Sequence, residues 1–77
     1  MSKLPRISGR TLRQVLEKKG FAFARQKGSH MMLRRTKPPH ITVSVPDHKE
    51  LALGTLRSIL RDVDMTPDEL NEILPKI

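Results

Sequence analysis

Apolar residues recur along this chain first at helical spacing, then in alternation, then at helical spacing again. Leu12, Val15 and Leu16 share one stripe with Lys19, whose aliphatic stem can reach over its edge. Ser8 stands where an N-cap belongs, Ile7 and Leu12 are spaced as a hydrophobic staple, and Gly20 supplies a left-handed stop after Lys18-Lys19. These signals predict a first helix. Phe21–Gln26 then alternates with period two and reads as a strand, Lys27-Gly28 makes a tight reversal, and Ser29–Arg35 returns as a second strand. Thr36-Lys37-Pro38-Pro39 forms the next connection, because its prolines cannot join a ladder. His40–Val45 is a third strand, ended by Pro46, with Ile41, Val43 and Val45 on one face and His40, Thr42 and Ser44 on the other. The second strand divides likewise, Met31 and Leu33 against His30, Met32 and Arg34.

Leu53, Leu56, Ile59, Leu60 and Val63 return to helical spacing from about Leu53-Gly54-Thr55 onward. A short last helix opens on Thr66-Pro67-Asp68-Glu69, a capping box with proline at its first position, stapled by Met65 and Leu70. The order is helix, three strands, helix, short helix. An antiparallel meander with one apolar face needs helices over that face, so the expected fold is α+β with the other sheet face left open.

Seventy-seven residues suffice for one such domain, residues 1–77, and for no second core. The formal net charge is +7, which points to a polyanionic partner. The charge is also uneven. Residues 1–49 hold 12 Lys and Arg against Glu17 and Asp47, whereas residues 50–77 hold three against six acids. A polyanion would therefore meet the first two thirds of the chain. The absence of cysteine excludes disulfides, thiolate metal sites and a cysteine nucleophile. Without Trp or Tyr, and with two Phe, an aromatic platform for stacking bases is not expected. No apolar run approaches a membrane span and Met1–Arg10 lacks the apolar stretch of a signal peptide, so the expected place of work is the cytoplasm.

Gly28-Ser29-His30 is the sharpest local feature. His30 projects from the polar face of the middle strand just after a turn, with Arg34 on the same strand face and Arg25 and Lys27 flanking the turn. Imidazole among fixed cations suits phosphodiester transesterification: it can take the 2′-hydroxyl proton or deliver one to the leaving 5′-oxygen, while cations stabilise charge on the phosphate. RNA carries its own nucleophile, so that reaction needs neither metal nor cofactor. A lone sheet-surface histidine in a small protein is nevertheless more often structural than catalytic. His40 and His48 lie 10 and 18 residues beyond His30, in no metal-ligand spacing, and read as a polar sheet residue and a loop residue. Gly54-Thr55 could offer backbone N–H groups to a phosphate, although simple helix initiation is the plainer reading.

Three ordered motifs carry a resemblance: Gly20-Phe21 followed by Arg25-Gln26-Lys27-Gly28-Ser29-His30, then Val45-Pro46-x-His48, then Gly54-Thr55-Leu56-Arg57-x-Ile59-Leu60. Together they resemble the HicA toxin family, small prokaryotic mRNA interferases of type II toxin–antitoxin systems, over about Ser8 to Leu74. The resemblance implies a double-stranded-RNA-binding-domain-like (dsRBD-like) fold of helix, three strands and helix. It also implies ribosome-independent mRNA cleavage with His30 as the catalytic residue, and a HicB-type antitoxin that masks the site and helps repress the operon. Arg25, Lys27, Ser29 and Arg34 are the candidate RNA phosphate contacts. Two departures stand out: Thr36-Lys37-Pro38-Pro39 replaces the usual glycine-bearing hairpin, and Asp47-His48-Lys49-Glu50 is slightly compressed. The competing reading is a non-catalytic RNA-binding module of the same fold, in which His30 has no special role. A DNA-binding regulator is a third, but no recognition helix stands out.

Overall fold

The structure, a computed structural model, describes residues 3–77, so the first two residues of the Met1–Arg10 segment lie outside it. Its elements are α1 (Gly9–Lys18), β1 (Phe21–Lys27), β2 (His30–Arg35), β3 (Thr42–Pro46), α2 (Leu53–Asp62) and α3 (Pro67–Ile73), with a final 3₁₀ turn at Leu74–Lys76. The strands form one antiparallel sheet in the order β1-β2-β3. Helix α1 lies against β1 and β3, α2 against β3, and α3 against α1. The α+β arrangement expected from periodicity is the one observed.

Local chemistry sets the element ends. The Ser8 hydroxyl accepts the Thr11 N–H at 3.0 Å, and Gly20 at φ +94° turns the chain out of α1. Thr66 and Glu69 complete the capping box of α3, and Met65 and Leu70 are both buried as its staple requires. Thr36 binds the Gly20 carbonyl through both its N–H (2.9 Å) and its hydroxyl (3.1 Å), tying the far end of β2 to the exit of α1.

The core lies between the helices and one sheet face. Leu12, Val15 and Leu16 of α1 meet Met31, Leu33, Val43 and Val45 of the sheet and Leu56, Ile59 and Leu60 of α2, all buried. Two expectations need correction. Leu53 is not part of the α2 stripe, being 38% exposed, and the inward place is taken by Leu51, which is 2% exposed in the preceding loop. Phe23 is also 38% exposed despite its place in the alternation, and it is covered by the Arg13 guanidinium 4.2 Å from its ring centre.

Gly9 is where helix and sheet come closest. A Cβ on this residue would overlap the Pro46 carbonyl oxygen, and the Gly9 N–H donates to the His48 carbonyl at 2.9 Å. Among the described residues no polar or charged side chain is buried, and no helix is long and apolar enough to cross a membrane. The chemistry of this domain is therefore surface chemistry.

Candidate active site

Strand pairing fixes which side chains share the open face. In antiparallel strands, residues directly opposite one another project to the same side. Three rows therefore cross the face that the helices leave uncovered: Ala22, Arg34 and Thr42; Arg25, Met32 and Ser44; and Lys27, His30 and Pro46. The opposite face carries Phe23, Leu33 and Val43, then Gln26, Met31 and Val45.

A β-bulge makes these rows possible. Unbroken alternation from Phe21 would put Phe23, Arg25 and Lys27 on the helix-covered side. The register instead shifts between Phe23 and Arg25, leaving Ala24 as the extra residue. Beyond it, Arg25 stands opposite Met32 and Lys27 opposite His30, so both cations arrive on the histidine's face. Gln26 turns the other way and lines the cleft beside α1 with Met31.

The hairpin then places His30. The reversal centres on Gly28-Ser29, one residue later than the Lys27-Gly28 expected, and Gly28 has φ +60° while Ser29 does not enter the left-handed region. Glycine at the first central position is the pattern of a type II′ turn, whose twist matches that of the strands. The Asp47 N–H donates to the Ser29 carbonyl at 2.7 Å and the Gln26 side-chain amide to the Gly28 carbonyl at 3.0 Å, which holds the turn against the end of β3. Lys27, Ser29 and His30 are exposed at this corner.

Acids hold three arginines at and before α1. Arg6 pairs with Glu50 at 2.9 Å, Arg10 with Asp47 at 3.1 Å and Arg13 with Glu17 at 3.4 Å. Asp47 also holds the Arg10 pKa above its ordinary value, by hydrogen bond and by charge. These pairs occupy every acid of residues 3–50 on the helix side. Among the described residues, Arg25, Lys27 and Arg34 have no ion-pair partner. The open face is thus left cationic.

Not every candidate converges. Arg34 shares the face but lies four residues along β2 from His30, about 13 Å at strand rise. His40 was expected on the third strand; it lies outside β3, its Nδ1 3.0 Å from the Arg35 carbonyl, at the end of the sheet remote from His30. The prolines explain this, since the turn they make carries the chain past His40 before pairing begins at Thr42. His48 lines a cleft with Ser8, Arg10 and Lys49 on the α1 side. Among the described residues, no three His, Cys, Asp or Glu side chains gather as a metal site.

Sequence reasoning did not anticipate the groove of about 550 Å³ beside His30, between β3 and α2. Gly54 and Thr55 line it, and α2 begins there from Ala52 without a side-chain cap. The signal available in sequence was Gly54 with the hydroxyl-bearing Thr55 and Ser58 on the side of α2 away from Leu56 and Leu60.

A search of curated proteins finds no match for the chain. The family model described as the HicA toxin of bacterial toxin–antitoxin matches residues 9–65, well over half of the chain. That span runs from the first residue of α1 through the whole sheet and the Gly28-Ser29-His30 turn to the end of α2, and the chain belongs to the HicA toxin family of bacterial toxin–antitoxin systems.

Proposed function

We propose that this toxin is a metal-independent endoribonuclease that cleaves mRNA by transesterification at His30. The observation that carries the reading is the convergence of His30, Lys27 and Arg25 on one open sheet face, through the hairpin and the bulge. Lys27 and Arg25 hold the phosphate and stabilise the charge that grows on its oxygens, the Ser29 hydroxyl is a further donor at the same corner, and Arg34 meets a phosphate further along the strand. His30 takes the 2′-hydroxyl proton while the 2′-oxygen attacks phosphorus and the bond to the 5′-oxygen breaks. The products are a 2′,3′-cyclic phosphate and a 5′-hydroxyl. With His40 and His48 elsewhere, the proton for the 5′-oxygen comes from the same imidazole or from water.

Membership in a toxin–antitoxin family implies an antitoxin partner. We assign that role to a HicB-type protein whose acidic surface docks on the cations around His30 and so masks it. The test is purified protein with mRNA in excess EDTA. Cleavage should persist, and His30→Ala should abolish it while preserving the fold and relieving growth arrest. Cleavage that stops with chelator, or that survives His30→Ala, overturns the mechanism. RNA binding without cleavage by the unaltered protein would favour the non-catalytic module instead.

A further inference from the structure

We propose that the groove between β3 and α2 is a nucleobase subsite, in which Asp62 accepts hydrogen bonds from the Watson–Crick edge of an unstacked guanine beside the scissile phosphate. The proposal rests on the reading of His30 as the RNA-cleaving residue. It starts from the composition of the groove wall. Thr42 and Ser44 line one side, Thr55 and Ser58 the other, with His30 reaching in from β2. Among the described residues, Asp62 is the one carboxylate lining it, and neither Lys nor Arg does.

Such a lining disfavours a phosphate and favours a base edge. Phosphates belong on the cationic face next door, where Arg25 and Lys27 stand, and a carboxylate in the adjoining groove repels them. This divides the surface into a part that positions the backbone and a part that reads a base. The dimensions agree. The β3 wall from Thr42 to Pro46 spans about 13 Å at strand rise. The α2 wall from Gly54 to Asp62 spans about 12 Å at helical rise. Val43 and Ile59, each 5% exposed, close the bottom of the groove.

Asp62 has no structural duty that explains it. It is exposed, among the described residues it has no hydrogen-bond or ion-pair partner, and it ends α2, where a carboxylate opposes the helix dipole. Carboxylate chemistry then selects the base. Guanine presents two adjacent donors, N1–H and the 2-amino group, which one carboxylate accepts together. Uracil presents a single imino donor, and adenine and cytosine a single amino group.

The test has two arms on the full chain. In the first, the ¹⁵N-labelled protein is titrated with guanosine 5′-monophosphate and with uridine 5′-monophosphate. The guanine nucleotide should shift the amides of Thr42, Ser44, Thr55 and Ser58 with an affinity about tenfold higher than the uridine nucleotide, and Asp62→Asn should bring the two close together. Equal affinities in the unaltered protein, or shifts confined to the Lys27–Ser29 hairpin, overturn the subsite. In the second, cuts are mapped on an RNA of mixed sequence. Guanine should flank the cut, and Asp62→Asn should reduce that preference about tenfold while cleavage continues. Cleavage with no guanine preference sinks the subsite and leaves the nuclease standing. Groove shifts without any cleavage sink the nuclease and leave the subsite standing.

Discussion

The pairing of charges predicts which arginines RNA feels. Among the described residues, Arg25, Lys27 and Arg34 on the open face have no acidic partner, whereas Arg6, Arg10 and Arg13 are each within 3.4 Å of a carboxylate on the helix side. For single-stranded RNA, each cation that replaces a condensed counterion contributes about −0.7 to the slope of log K against log salt. Three such cations give a slope of about −2, so binding should weaken about 20-fold between about 50 and 200 mM salt. The assay is fluorescence anisotropy of a labelled single-stranded RNA, carried out in the His30→Ala background so that the probe survives. Arg25→Gln and Lys27→Gln should each make the slope shallower by about 0.7. Arg10→Gln removes a cation that Asp47 already pairs on the helix side, so no phosphate contact is lost with it. Its slope should therefore match that of the parent. A loss of slope in Arg10→Gln equal to that in Lys27→Gln would refute the assignment of RNA to the open face.

Other expectations concern stability. Gly9→Ala drives a methyl into the Pro46 carbonyl, and backbone cannot swing aside, so it should destabilise by about 3 kcal/mol and lower Tm by roughly 10–20 °C. Gly54→Ala is the control: its Cβ meets nothing within 4 Å and the residue is helical, so thermal melts should show a gain of about 0.5 kcal/mol. The Glu69 pKa is lowered, first by the Lys19 ammonium 3.0 Å away and then by the Thr66 N–H. A lowered carboxyl stabilises the fold above the ordinary glutamate range, and that contribution fades as pH falls through the lowered value. The Tm difference between the parent and Glu69→Gln should accordingly shrink from about pH 6 to about pH 3, and a constant difference would contradict the linkage.

Much of this architecture follows from local rules that act within a few residues. The cap at Ser8, the stop at Gly20 and the box at Thr66–Glu69 are short-range hydrogen-bonding choices, and periodicity alone separates Leu12, Val15 and Leu16 from their polar neighbours. His30, placed by a turn and by the alternation of one short strand, is equally local. Leu51 and Leu53 show where this ends. Both are leucines near a helix start, and which one goes inward depends on how the loop from Pro46 crosses the end of α1, where the Leu51 N–H donates to the Ile7 carbonyl at 2.8 Å. That contact joins residues far apart in the chain, and hydrophobic spacing carries no record of it.

Arg25 and Lys27 make the same point where function is concerned. Their distance along the chain from Phe21 puts them on the covered side of the sheet, and only the extra residue at Ala24 reverses that. A bulge is decided by the partner strand: Phe21, buried in the core, opposes Arg35, while Lys27 must oppose His30 to close a two-residue turn over Gly28-Ser29. Between these two anchors β1 has one residue more than β2, and the surplus is absorbed as the bulge. The cationic face around His30 is therefore a consequence of matching a core register at one end of the hairpin to a tight turn at the other. That matching brings onto the histidine's face two cations that unbroken alternation would have placed on the covered side. The α1 arginines are held by acids, and the bulge turns two of the remaining cations toward the histidine.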